Sequence, residues 1–444
     1  MPRAARPRTN LAPDGAGNSA RVPRTRPGGR SCIPEYSVQM MNRSEWAQKA
    51  AAAALLVLLA ACGGGDGKGE GDGEQANDSA TAAAAPGDTG AASGAQPGQT
   101  ANNLPAGPTT QLPPNELGRI MVLEYHRTGS PEGEFVRTLE NFRKDIRTLY
   151  EAGYRPVTMR QVLEGNIDIP RGTTPVVFTM DDATRGQFYL TANGEVDPNT
   201  MMGSWMSFKR ENPGWGPGGM VWCILPAASH PSNFFGETKD RDTPREQREA
   251  NIRKKMEMIV RDGHEVCNHT LYHARLDRAA NDQQAQDWIG IGEDSIKAYL
   301  PQDYDIVTFA LPLGMWPRNK PLAWAGTYRN GKRYENKVVL EVSGGPSVTP
   351  WDTRWDPHSV DRFIVGPGQL ERQLQRWEQD PTNRYVSDGD PRTISYPATM
   401  AQYLNRSALG GRTPREVAGA PAAAAPAAGG AQPAAPAAGG TTGR

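Results

Sequence analysis

Pro175-Val176-Val177-Phe178-Thr179-Met180-Asp181-Asp182 is the stretch on which the fold turns. Pro175 to Thr179, uncharged and with three β-branched residues, read as a strand buried on both faces, and after Met180 two carboxylates stand where it stops. Like charges so close raise each other's cost of ionisation, which a metal ion or a retained proton resolves. A bare Asp-Asp pair is more often a solvated loop or a helix cap, so its meaning depends on what surrounds it.

Working outward, strand-like and helix-like segments alternate between residues 117 and 409, the pattern of an α/β domain. Met121-Val122-Leu123-Glu124-Tyr125 is an expected first strand, and Phe135, Leu139, Phe142, Ile146 and Leu149 follow at helical spacing. Further strands are expected over 220–225, 265–268 and 305–311, with a polar helix over 245–262 stopped by Gly263. Residues 183–217 exceed an ordinary α/β connection and carry Trp205 and Trp215, so they form either a lid with a sugar-stacking surface or an elaboration packed on the domain.

The strand over 265–268 runs into His269-Thr270-Leu271-Tyr272-His273. Imidazoles four residues apart share one face if the chain turns helically there. With Asp182 they would offer two nitrogens and one oxygen, leaving a coordination position open, as at a catalytic zinc. Such a pair alone is more often coincidental.

The ends differ from this core. Lys and Arg together number 49, equal to Asp and Glu, so no polyanionic partner is indicated and nucleic acid is excluded as an expectation. Arg43 and Lys49 precede an apolar run over 50–61 that is too short to span a bilayer, followed by Cys62. Residues 41–62 read as a secretory signal, and Leu59-Ala60-Ala61-Cys62 resembles a bacterial lipobox, with Cys62 as the lipid attachment. Residues 1–40 would then be a mis-assigned start or a basic extension, the chain beginning at Met40 or Met41. Residues 63–116 and 410–444, rich in Gly, Ala and Pro, read as a low-complexity tether and a disordered tail. Cys223 and Cys267 fall in strand-like segments and are expected as buried thiols, with oxidation open to them in an exported protein if the strands are adjacent.

PVVFTMDDA resembles the strand and aspartate-pair motif of the polysaccharide deacetylases, the NodB-type carbohydrate esterases, and NHTLYH resembles their histidine motif. The similarity spans about residues 120–364. It implies a distorted (β/α) barrel flanked by disordered termini, a divalent metal held by Asp182, His269 and His273, and Asp181 as the general base. Zinc is the expected ion, with iron, cobalt or nickel compatible. The implied reaction is removal of N-acetyl groups from an extracytoplasmic polysaccharide by an enzyme lipid-anchored in a bacterial cell envelope, the metal and Asp181 activating water.

Two departures stand out. The family's third motif appears here as Ala310-Leu311-Pro312-Leu313-Gly314, without the arginine that orients the base; Leu313 can still offer its backbone N–H to an oxyanion. The late histidine that protonates the leaving amine is missing too. Leu123-Glu124-Tyr125-His126-Arg127 resembles the Y-H-R strand of poly-N-acetylglucosamine deacetylases, which makes His126 the expected acid, with His358 in reserve and His230 and His264 structural or solvated. Trp316 is a groove residue by position. A silent carbohydrate-binding lipoprotein, or an esterase acting on O-acetyl groups, are the alternatives.

Overall fold

The computed structural model describes residues 107–237 and 243–419. The expected signal, Cys62 and most of the expected tether lie outside them. The strands of the main sheet are β1 (Met121–Tyr125), β2 (Tyr154–Pro156), β3 (Thr174–Met180), β4 (Val221–Ile224), β5 (Glu265–Asn268), β6 (Thr308–Ala310), β7 (Val338–Gly344) and β8 (Val360–Ile364). Seven of them close a parallel ring in the order β1-β8-β7-β6-β5-β4-β3 and back to β1, while β2 pairs outside the ring with the first half of β3. This is the distorted (β/α) barrel expected.

Closure follows from side-chain alternation. Val122, Val177, Cys223, Cys267, Ala310, Leu340 and Val360 form one cluster inside the ring, whereas Leu123, Phe178, Met180, Trp222 and Val266 belong to a second, outer core. The helices α1 (Leu139–Glu151), α2 (Met201–Glu211), α3 (Arg245–Arg261), α4 (Asp282–Lys297) and α5 (Gln369–Gln379) supply that outer layer. Thr138 caps α1, its hydroxyl accepting from the Asn141 N–H, and Phe142, Ile146 and Leu149 are its buried stripe. Because the ring is all parallel, every strand delivers its C-terminal end to the same mouth.

Several expectations change. Phe135 precedes α1 rather than joining its apolar face; it is exposed, with its ring against His126. The strand expected over 305–311 is confined to Thr308–Ala310. Trp205 and Trp215 are buried at 1% and 0% exposure among Phe178 and Phe208, so residues 183–217 pack on the barrel and their tryptophans form no lid. Cys223 and Cys267 are not free thiols: they are cross-strand partners on β4 and β5, with Cα atoms 4.2 Å apart, and form a disulfide. At the C-terminus, β9 (Thr393–Pro397) pairs with β10 (Thr413–Val417), so the domain runs past residue 409 and the expected tail does not begin at 410. The short strand Thr-Pro-Arg-Glu-Val lacks the apolar alternation that would have marked it.

Candidate active site at the barrel mouth

β3 carries Asp181 and Asp182 to the mouth. The Asp181 N–H donates to the Tyr125 carbonyl at 2.8 Å, after which Asp182 and Ala183 turn into the left-handed region at φ 68° and 48°. Aspartate tolerates that region better than most residues. The turn breaks the strand's alternation and lets both carboxylates face the opening.

His269 enters from β5, with its Nδ1 2.9 Å from the Ala310 carbonyl. A carbonyl only accepts, so the proton sits on Nδ1 and the Nε2 lone pair is aimed into the site. Burial lowers the pKa of this imidazole to about 4. His269 Nε2 lies 3.7 Å from Asp182 Oδ1, and His273 Nε2 is also 3.7 Å from that oxygen. His269 Nε2 and Asp182 Oδ1 are buried with no hydrogen-bond partner, and ligand atoms of Asp182, His269 and His273 all lie within 4.8 Å of one another. Buried orphan lone pairs converging on one point are the arrangement a divalent cation satisfies. The expected helical turn is not how the histidines meet. Residues 269–273 form an irregular turn with Thr270 at φ 65° and His273 at φ 63°, clamped by Asn268 Oδ1 accepting from Thr270 N and Thr270 Oγ1 accepting from Ala274 N.

The base expected at Asp181 is 1% exposed and held by a residue that the sequence reading missed. Arg362, on β8, donates from Nη1 to Asp181 Oδ1 at 2.7 Å and from Nη2 to Oδ2 at 2.8 Å, a bidentate fork. Burial would raise the Asp181 pKa, but Arg362 first, then His269 and His126, hold it well below the usual carboxylate range. The arginine absent at position 310 is thus replaced from another strand. The sequence carries only a partial signal for it: Asp361 and Arg362 are consecutive charges in Val360–Ile364, so strand alternation sends one of the two inward without saying what it meets. Arg362 also reaches Glu124, Nε to Oε2 3.1 Å.

His126 sits on the same cluster, Nε2 3.4 Å from Glu124 Oε1 and 4.0 Å from Asp181 Oδ2. Burial lowers its pKa, opposed by Asp181 and Asp182. His358 lies apart from this group, stacked on Trp324 with ring centroids 4.5 Å apart. His264 is structural as expected: its Nδ1 accepts from Met220 N, and burial drives its pKa to about 3. His230 is closer to the site than expected, its ring 6.2 Å from that of His273. Trp316 donates from Nε1 to Glu341 at 3.2 Å, and Leu313, at φ 58°, exposes half of its side chain. Among the described residues the exposed large apolar side chains are Phe135, Tyr272, Leu313 and Met315, all on loops at this mouth.

The family model for polysaccharide deacetylase matches residues 225–326, which hold both histidines and the 310–314 motif but not Asp181, Asp182, His126 or Arg362. Similar solved structures include BA0330 from Bacillus anthracis, assigned to the polysaccharide deacetylases, at 12% identity over 58% of this chain and 68% of that one, with a TM-score of 0.40. BC0361, a polysaccharide deacetylase from Bacillus cereus, shares 13% identity over 58% and 68%, TM-score 0.39. IcaB from Ammonifex degensii shares 16% identity over 59% of this chain and 97% of its own, TM-score 0.39. No curated protein matches.

Proposed function

We propose, from its place among the polysaccharide deacetylases, that this chain is a metal-dependent hydrolase that removes N-acetyl groups from a polysaccharide outside the cytoplasm. The observation that carries the reading is the convergence of ligand atoms from Asp182, His269 and His273, with Asp182 Oδ1 and His269 Nε2 buried and unpartnered, beside a buried Asp181 held by Arg362. Asp182, His269 and His273 hold the ion, with zinc as the default for two nitrogens and one carboxylate and iron, cobalt or nickel as compatible ions. When bound, the metal lowers the pKa of a water and polarises the acetyl carbonyl.

Asp181, kept ionised by Arg362, takes a proton from the attacking water as the new C–O bond forms. The backbone N–H of Leu313 donates to the developing oxyanion. Collapse breaks the C–N bond with its electron pair passing to nitrogen, and His126 supplies the proton that makes the free amine. Phe135, Tyr272, Met315 and Trp316 offer ring and apolar faces to the sugar residues on either side. Ala310 and the absent late histidine favour a silent binding protein; the fork from Arg362 to Asp181 supports turnover.

Export and anchoring at Cys62 belong to the same proposal. The Cys223–Cys267 disulfide inside the barrel supports an oxidising compartment. No helix among the described residues is long and apolar enough to cross a membrane. Conversion of Cys62 to Ala should release the protein from the membrane fraction; persistence there would remove the lipid from the proposal.

The deciding experiment is acetate release from N-acetylglucosamine oligomers and from O-acetylated glycans by zinc- or cobalt-loaded protein, with Asp181→Asn and chelator controls. Acetate from the N-acetylated oligomers that disappears in both controls is expected. Release from O-acetylated glycans alone would make the chain an esterase. No release from either, despite bound metal, would leave a binding protein.

A further inference from the structure

The loop that leaves β4 carries a histidine for which the reaction above has no use. His230 stands on residues 226–237, where Ala228, Ser229 and Pro231 are exposed while the imidazole among them is half-buried. Its ring lies 6.2 Å from that of His273, centroid to centroid, with the two planes tilted by 43°. The Ser232 N–H donates to His230 Nδ1 at 3.1 Å. An Asn or Asp side chain closes a turn in the same way, accepting from the backbone two residues ahead. An accepting Nδ1 leaves the ring proton on Nε2. Because the two nitrogens diverge across the ring, the Nε2–H is directed away from the backbone that holds Nδ1.

The loop is built to keep that ring in place. The Ala227 N–H donates to the Leu271 carbonyl at 2.8 Å, which ties the loop to the turn between His269 and His273. The His230 N–H donates to the Ala227 carbonyl at 2.9 Å, and the Asn233 side-chain amide donates to the Pro226 carbonyl. Phe234, Phe235 and Gly236 follow at φ 39°, 67° and 76°, a left-handed run in which two residues are not glycine. Such backbone persists only where its surroundings over-determine it. Here both phenylalanines are buried, and Glu237 accepts from Lys255 Nζ on α3 at 2.6 Å with both side chains buried.

A donor of fixed direction beside a metal ligand meets whatever is held at the metal. In the proposed reaction that is an acetamido sugar, whose ring carries hydroxyl oxygens that Asp181, His126 and Leu313 do not address. We propose that His230 is a substrate-binding residue whose Nε2–H donates to a hydroxyl oxygen of the sugar held by its acetamido group at Asp182, His269 and His273. This rests on the reading of those three residues as the place where the acetamido group sits. The bond orients the sugar ring and is made alike before and during reaction, so it acts on KM and leaves kcat.

The test is calorimetric titration of the full-length, zinc-loaded chain with an N-acetylglucosamine oligomer, in an Asp181→Asn background that prevents turnover. His230→Asn is the informative variant, since an asparagine amide can accept from the Ser232 N–H and close the same turn without offering a donor at the far side of the ring. It is expected to weaken oligomer binding about 5-fold or more, the scale of one hydrogen bond, with zinc stoichiometry and Tm unchanged. With Asp181 intact, the same substitution should raise KM by a similar factor at constant kcat. His230→Ala, which loses the turn as well, should bind at least as weakly. Parent-like oligomer affinity in His230→Asn overturns the proposal, and if His230→Ala is then weak, the ring only shapes its loop. Loss of zinc from His230→Asn overturns it too, by making His230 a support of His273, and so does a parent that binds no oligomer. Acetate release by the wild type decides the reaction separately: a chain that binds the oligomer through His230 but releases no acetate keeps this inference and loses the proposed function.

Discussion

Arg362 shows how much one side chain can organise. Its planar fork satisfies both oxygens of Asp181 while its Nε edge faces Glu124, a geometry that a lysine ammonium cannot reproduce. Arg362→Lys is therefore expected to lower kcat by about 10²-fold with metal still bound, as read by acetate release beside metal analysis. Arg362→Met removes the charge altogether and strands two buried carboxylates. Breaking buried pairs in this way costs about 3–5 kcal/mol; denaturant unfolding near neutral pH should show a loss of that order, and wild-type stability would mean the fork does not hold the cluster.

At the scale of elements, the histidine turn depends on helix α4 lying unusually close. Gly292 lets the helix backbone approach: a Cβ there would stand 2.8 Å from Leu271 N and 2.9 Å from Thr270 C. Helix propensity favours alanine over glycine by about 1 kcal/mol, but the obstacle is backbone and cannot rotate away. Gly292→Ala should therefore be net destabilising by about 1–3 kcal/mol and should weaken zinc binding by moving His269 and His273, as measured by competition with a chromophoric chelator. A more stable variant with unaltered affinity would show that the approach is not what shapes the site. The disulfide from β4 to β5 ties down the latter strand at Cys267, two residues before His269.

Over the whole molecule, the closed ring brings both ends of the domain to the face opposite the site. Glu116, just before β1, accepts from the Ser395 N–H on β9 at 2.7 Å and from the Tyr385 hydroxyl at 3.3 Å. Burial, then the neighbouring Asp388, raises its pKa from 4.5 to about 8. A raised folded-state pKa means that the native state binds more protons than the unfolded state between these values, so the contribution is complete below about 4.5 and is lost as pH rises through about 8. Glu116→Gln should flatten the stability profile across that window and raise Tm at pH 8 by about 2 °C or more relative to the wild type. Parallel profiles for the two proteins would show that Glu116 titrates normally.

The amino-acid sequence by itself determined five of the seven barrel strands, though not Val338–Gly344 or Val360–Ile364, the polysaccharide deacetylase resemblance and the residues that meet as Asp181, Asp182, His269 and His273, because buried strands and the motifs that end them are local patterns. His126 was singled out through the resemblance of Tyr125-His126-Arg127 to the Y-H-R segment, and the structure places it 4.0 Å from Asp181. Arg362 and Glu124 were not. Glu124 is one charged residue in an apolar strand, Arg362 stands beside Asp361 in another, and only closure of β1, β3 and β8 into a ring sets Arg362 against Asp181, 181 positions away, and against Glu124, 238 positions away. The pairing of Cys223 with Cys267, the burial of Trp205 and Trp215, and the strand at Thr413–Val417 were likewise decided by tertiary structure. Strand register and long-range burial are properties of the assembled sheet, and no window of sequence contains both partners.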